Sequence, residues 1–337
     1  MLPDFTNPAD WLPWTFASLM GLSILIYVVL DGFDLGVGIL FPLADSTEQN
    51  RMIGSIGPFW DANETWLILA VGLLLVAFPL AHGMILSTLY LPVFVMLMGL
   101  ILRGVAFEFR AKARDQHKLL WNRLFFAGSL MTALAQGFML GLYIMGLEQT
   151  WATYAFSLVT AAFLAVGYSF IGATWLIHKT DGALQHKSIQ WAKQSLWGVI
   201  LGIGAVSLAT PLVSERIFDK WLQFPALIYL APLPILSGVL IVWLWRMIRR
   251  MPFAADRRSW LPFAVGTGLF ALAYIGLAYS FYPYVVPERL TIYDAAAAPE
   301  SLIIILIGAL IVVPIIAGYS ILAYIIFRGK ATDLSYG

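Results

Sequence analysis

The stretch YVVLDGFDLGVG, Tyr27 to Gly38, places two aspartates three residues apart inside an apolar run long enough to cross a membrane. A carboxylate at the centre of a lipid-exposed helix costs about 2.5–3.5 kcal/mol on insertion scales, so Asp31 and Asp34 need protein around them. On a helix the two lie roughly 60° apart, on the side that also carries Tyr27 and Gly38. Gly32 and Gly36 fall on a different face, a small-xxx-small pair that lets a second helix backbone approach closely. Asp31 stands about 20 Å along the axis from Asp45, too deep for its carboxylate simply to snorkel to that end.

The rest of the chain has the same character. Its 337 residues are 61% hydrophobic and 12% charged, with a mean hydropathy of +0.83, outside the range of soluble globular domains. Runs of about 20 apolar residues recur, and no ten-residue alternating barrel strands are present, so the expected fold is an all-α polytopic membrane protein. The first residues, MLPDFTNPADWLPW, lack the basic region and small-residue site of a cleaved signal peptide, so the first run is expected to stay in the membrane. The absence of cysteine excludes disulfides, thiolate metal sites and c-type haem attachment. A net charge of +1 points to no nucleic-acid partner.

Nine apolar segments are expected, near 14–43, 58–80, 85–109, 122–147, 154–177, 194–214, 224–246, 260–283 and 301–327. All but Arg216, Lys220 and Arg289 of the 20 Lys and Arg fall at one membrane face when the segments alternate in direction. The positive-inside rule then sets the N-terminus outside and the C-terminus in the cytoplasm. Trp11, Trp14, Trp60, Trp151, Trp221 and Tyr282 sit near segment ends, as interfacial aromatics do. The longest loop, 284–300, lies outside and is expected to be a cap or a partner contact.

The second segment opens GPFWDANETW, with Pro58 suited to a first helical turn and Asp61 and Glu64 on one face. Asp61 can also be read as an ordinary helix-start acid, stabilised by the helix dipole. The third segment carries Arg103 and Glu108 in LRGVAFEFR, five residues apart and on different faces. Asp31, Asp34, Asp61, Glu64, Arg103 and Glu108 thus all fall in the cytoplasmic half of three consecutive segments. Five carboxylates beside one guanidinium would carry about −4 if all ionised, and such a group is suited to taking up and releasing protons. The plainer alternative is that Arg103 locks one or two acids into an ion pair while the rest face headgroups.

None of the four histidines, His82, His117, His178 and His186, lies deep in a segment, and Met96, Met98 and Met131 read as apolar packing. No Glu-x-x-His pair supports a di-metal site, so neither metal nor haem is expected on this chain. Residues alone leave two readings, a membrane subunit of a redox complex and a cation-coupled transporter. A second copy of the acidic pair, which would favour the transporter, is absent from the sequence.

Four runs in order, DGFDLGVG (31–38), PFWDANETW (58–66), LRGVAFEFR (102–110) and YPYVVPERLTIYDAAA (282–297), resemble subunit II of the cytochrome bd-type quinol oxidases, in particular the cyanide-insensitive branch. The resemblance spans almost the whole chain. It implies nine helices arranged as two four-helix bundles plus one peripheral helix, with blocks at 1–147, 148–283 and 284–337. It implies a partner subunit I holding two haems b, haem d and the quinol site, and a complex of the bacterial cytoplasmic membrane that oxidises quinol and reduces dioxygen to water. This chain would bind no cofactor directly and would supply scaffold and a cytoplasm-facing proton route. A small single-helix subunit, membrane lipid and quinone are further partners it allows. The family's buried aspartate falls on Asp61, a proton-path residue; Asp34 and Arg103 match motif positions near that path. Glu64 stands where some longer-branch members carry a neutral amide, and Asp31 and Glu108 follow by proximity. A purely structural subunit, without a proton role, remains the third reading.

Overall fold

A computed structural model describes residues 4–253 and 256–332. The chain begins with α1 (Pro8–Leu40), which ends in a short 3-10 turn, Phe41–Leu43, at Pro42. A helix lying between the first two spans, α2 (Ser46–Ile56), leads to α3 (Trp60–Ala77), α4 (Pro79–Lys112), α5 (Asp115–Ile144), α6 (Trp151–Lys179) and α7 (Gly182–Val213). Two short helices, α8 (Glu215–Leu222) and α9 (Ala226–Leu230), precede α10 (Pro232–Arg249) and α11 (Leu261–Phe281). A small hairpin, β1 (Tyr284–Val286) and β2 (Leu290–Thr291), leads through α12 (Ile292–Ala295) to α13 (Pro299–Ile326).

Among the described residues nine segments are long and apolar enough to cross a membrane, which agrees with the sequence count. Several helices outrun their apolar stretches. α7 starts at Gly182 instead of 194 and α4 runs on to Lys112, because a helix stops at a cap or breaker and not where hydropathy falls. The seventh span is interrupted, with α9 separated from α10 at Ala231, where Pro232 and Pro234 remove backbone donors. Within the 284–300 loop β1 and β2 pair as a short antiparallel hairpin, and the spans themselves are all helix. This loop is stitched to the end of α3 by Ala297 N–H donating to the Ala77 carbonyl at 2.8 Å.

The described chain forms two compact units. Among the described residues, the first comprises 4–31, 58–90 and 281–328, and the second comprises 32–57, 91–280 and 329–332. They interleave along the sequence; of the blocks implied by the resemblance, the last, 284–337, runs past the described residues.

In the second unit, close helix crossings rest on small residues. A Cβ at Gly36 would lie 2.6 Å from the Tyr168 carbonyl carbon and 3.1 Å from the Gly172 Cα, so α1 meets α6 backbone to backbone on the expected glycine face. α5 meets α4 at Gly128 and Gly99, and meets α6 where Gly137 faces Ala161 and Gly141 faces Ser157. In lipid, where apolar burial gives little drive, such close packing supplies the association energy.

α2 was not foreseen, although its signal is in the sequence. Asp45 and Glu48 form a reciprocal capping box, with the Asp45 carboxylate accepting from Glu48 N–H at 2.9 Å and Thr47 N–H at 3.1 Å. The Glu48 N–H bond, together with the Lys187 charge, holds the Asp45 carboxyl below its ordinary value. Lys187 pairs with Glu48 at 2.6 Å, Arg51 with Asp181 at 2.7 Å, and Trp175 Nε1 donates to the Ser55 carbonyl at 3.2 Å. Solvent-exposed pairs contribute about 0–1 kcal/mol each, so the buried indole bond and the 4.2 Å stack of Phe33 on Trp175 are the firmer anchors.

Two further clusters secure the helix ends of this unit. Lys330 pairs with Asp256 and donates to the carbonyls of His178 (2.9 Å) and Thr180 (2.8 Å). Ala331 N–H reaches the Lys179 carbonyl at 2.7 Å, and Lys179 Nζ reaches the Gly329 carbonyl at 2.8 Å. The C-terminal segment thereby closes the last carbonyls of α6.

At the other end, Lys220 and Arg216 of α8 donate to the Tyr279 and Ser280 carbonyls at 2.6 and 3.3 Å, a cationic cap on α11. Trp221 Nε1 adds a 2.8 Å bond to Ser280 Oγ. Burial, and then the Arg216 charge, push Lys220 down to about 8 from the ordinary 10.5. Between those two values docked α8 binds fewer protons than undocked α8, so docking strengthens as pH rises from about 8 to 10.5 and is flat below that window. Protease sensitivity of the 215–223 segment, normalised to an unstructured peptide, should fall across this range. Lys220→Arg should remove the pH dependence, and sensitivity that rises instead would contradict the assignment.

Candidate functional site

The six residues singled out from the sequence lie on α1, α3 and α4. In the first unit, Asp31 is fully buried in the C-terminal third of α1. Facing that helix from α3 is Asn63, also fully buried, whose Nδ2 donates to the Leu30 carbonyl at 3.2 Å. Its Oδ1 accepts from the Tyr324 hydroxyl of α13 at 3.1 Å. A neutral amide, donor at one end and acceptor at the other, therefore joins three helices one residue away from Asp31. The neighbouring bonds reinforce the joint. Trp66 Nε1 donates to Ser320 Oγ at 3.4 Å, and Phe59 stacks on Tyr324 at 4.5 Å with Phe327 edge-on at 6.1 Å.

The WDANETW turn divides its residues between two environments. Ala62, Asn63, Trp66, Ala70 and Leu73 face the interior. Asp61, expected to be buried, is exposed on this chain, and Glu64 is half-buried. The reason lies in helical phase, since Asp61 recurs at i+7 and i+14 with Ile68 and Leu75, which are 71% and 50% exposed. Asp61 thus heads an apolar, outward-facing stripe.

In the second unit, Asp34 is fully buried and Arg103 is 2% exposed. A Cβ at Gly128 of α5 would meet the Arg103 backbone nitrogen at 2.7 Å, and the next residue, Ser129, packs directly under Gly38 of α1. Asp34 stands one turn before Gly38, about 6 Å along the axis. Consecutive residues of α5 therefore touch α4 at Arg103 and α1 next to Asp34. Glu108 is half-buried, one face away.

Arg110, counted in the sequence only among the basic residues of the cytoplasmic face, is not solvated. It is 5% exposed, with Nε donating to Asn122 Oδ1 at 2.5 Å and Nη2 to Asn50 Oδ1 at 2.9 Å. Its guanidinium lies 5.4 Å over the Phe41 ring, and Asn122 passes the network to Gln49 at 2.7 Å. Asn63, Tyr324 and Arg110 are the residues that sequence reasoning overlooked. Asn63 stood inside a quoted motif, but a search for charges passes over a neutral amide.

Among the described residues no three of His, Asp and Glu converge as a metal site would require. Three of the histidines lie at or near helix ends. His117 and His186 are exposed, and His178 lies at the end of α6 against Trp175, with ring centroids 6.0 Å apart.

Comparisons with known proteins agree with this architecture. The family model for cytochrome bd terminal oxidase subunit II matches residues 12–327. Cytochrome bd ubiquinol oxidase subunit 2 of Bacillus subtilis is 28% identical over 336 residues, covering 93% of this chain and 95% of that protein. Cytochrome bd-I ubiquinol oxidase subunit 2 of Escherichia coli K12 is 28% identical over 361 residues, covering 93% of each. In fold, the chain is similar to the bd oxidase from Geobacillus thermodenitrificans, with a TM-score of 0.71 at 18% identity over 95% of this chain and 99% of that one. With the family match extending over nearly its whole length, this multi-pass membrane chain belongs to the subunit II family of cytochrome bd terminal oxidases, components of a haem-containing respiratory complex.

Proposed function

We propose that this chain supports a haem-bearing subunit I and contributes a proton route, open to the cytoplasm, to the reduction of dioxygen to water with quinol as electron donor. Asp61 receives protons at the cytoplasmic start of α3 and passes them toward the partner. Asp31 and Asp34 hold protons within the membrane span, with Arg103 balancing the charge of Asp34. Glu64 and Glu108, half-buried, lie at the water-facing margin. Two haems b and haem d, together with the quinol site, belong to subunit I in this reading; a small single-helix subunit, lipid and quinone complete the assembly.

The observation that supports it is the exposure of Asp61 at the head of the Ile68 and Leu75 stripe. A carboxylate aligned with an apolar membrane face is disfavoured against hydrocarbon and suited to a covered subunit interface. Family membership in an oxidase complex gives the transporter reading no support.

Asp61→Asn keeps the shape and removes the exchangeable proton. Where proton transfer limits turnover, losing the transferring group costs roughly 10²–10⁴-fold. In a complex with unaltered haem absorbance, quinol-oxidase turnover is expected to fall at least about tenfold. Unchanged turnover would leave the purely structural role, and loss of haem would make Asp61 an assembly residue.

A further inference from the structure

Between α7 and α10, wholly within the second unit, a cleft of ≈ 180 Å³ is lined by Lys193, Leu196, Trp197, Trp245, Ile248 and Arg249. Leu196 and Ile248 are buried and form its floor. Trp197, 60% exposed, and Trp245, 38% exposed, form its walls, and the Arg249 guanidinium lies 4.6 Å over the Trp245 ring. Lys193 and Arg249 close the end of the cleft where, by the charge bias, the protein meets the cytoplasm.

The charge of this cleft is not balanced from its own walls. Neither α7 nor α10 contains an aspartate or glutamate. Among the described residues no ion pair is made by Lys193 or Arg249, whereas Lys187, farther along α7, is paired with Glu48. One turn deeper into the membrane, Leu201 and Val242 continue outward-facing apolar surface from the two tryptophans, 61% and 47% exposed. The cleft thus has two cations at the interfacial end, amphipathic aromatic rings at the headgroup level and an apolar exit toward the hydrocarbon.

We propose that this cleft is a binding site for one anionic phospholipid of the cytoplasmic leaflet. Its phosphate lies between the Lys193 ammonium and the Arg249 guanidinium, its glycerol region rests against Trp197 and Trp245, and an acyl chain runs out over Leu201 and Val242. The two unbalanced cations select a net-negative headgroup over a zwitterionic one, because a choline or ethanolamine cation would meet like charge there. The apolar exit selects a lipid over free phosphate, which has nothing to place on it.

The test uses the intact detergent-purified complex containing this chain, with phosphatidylglycerol and phosphatidylcholine as probes and native mass spectrometry as the readout. The expected result is one retained phosphatidylglycerol that neither phosphatidylcholine nor millimolar inorganic phosphate displaces. The double variant Lys193→Gln/Arg249→Gln should bind it about 30-fold more weakly, the change that corresponds to roughly 1 kcal/mol for each basic residue at an anionic surface. The conservative pair Lys193→Arg/Arg249→Lys should keep most of the affinity. Equal retention by the wild type and the glutamine pair, or equal retention of the two lipids, overturns the proposal; displacement by phosphate overturns the choice of a lipid. If the glutamine pair does not assemble, the competition between the two lipids on the unaltered complex decides alone.

Discussion

Gly36→Ala is expected to prevent accumulation of the folded chain. The added methyl would stand 2.6 Å from the Tyr168 carbonyl carbon, nearer still to its oxygen, and 3.1 Å from the Gly172 Cα. These are backbone atoms of α6 and cannot rotate aside, so α1 and α6 must separate along the length that carries Asp34. Overpacking a well-fitted core costs about 1–3 kcal/mol when side chains can adjust, and a helix-to-helix displacement belongs at or beyond the top of that range. The ratio of folded to unfolded chain should then fall by about a hundredfold or more, leaving the variant open to degradation. Immunoblots of membranes and haem absorbance of the extracted complex would both register the loss. Gly172→Ala should behave alike, since its added methyl would lie 2.6 Å from the Gly36 carbonyl carbon. Gly72→Ala, where nothing lies within 4 Å, should accumulate normally. Wild-type amounts of the Gly36 variant would show that the crossing is loose.

The second large effect is expected at Arg110. Arg110→Leu leaves the amide oxygens of Asn50 and Asn122 without their guanidinium donor in a nearly closed site and removes the cation over Phe41. Hydrogen bonds to charged groups contribute about 1.5–3 kcal/mol each, so losing two costs roughly 3–6 kcal/mol. The damage is local, because this network ties α2 to α4 and α5. A protease acting from the cytoplasmic side should cut the 44–57 segment much faster in the variant, and the temperature of aggregation of the purified complex should drop. Arg110→Lys can reach one amide at a time and should recover about half of the loss. An unchanged cleavage rate would mean that the capping box and the Trp175–Ser55 bond hold α2 unaided.

The membrane spans were legible because lipid demands long apolar runs, and that demand leaves a plain trace in sequence. The Gly32–Gly36 face was legible for a related reason, since two small residues four apart have few other uses in a packed membrane helix. What stayed hidden depended on partners distant in the chain. Arg110 looked like one more cytoplasmic positive charge, and nothing local distinguishes a solvated arginine from one that spans two asparagines 60 residues and 12 residues away. Asn63 takes its meaning from Leu30 and from Tyr324, 261 residues on. The exposure of Asp61 depends on which face of α3 the rest of the first unit covers. α2 could have been found from Asp45 and Glu48 alone, had the search for apolar periodicity not passed over a short polar stretch.

The clasp formed by Lys330 gives the chain an order of completion. The carbonyls of His178 and Thr180 lie at the end of the fifth span, yet their donor is encoded some 150 residues later. The end of α6 must therefore wait, partly open, while four more spans are translated and inserted. A variant lacking the Lys330 ammonium would keep the nine described spans and leave that seam unsealed, so the end of α6 is finished only after the last of those spans is in place.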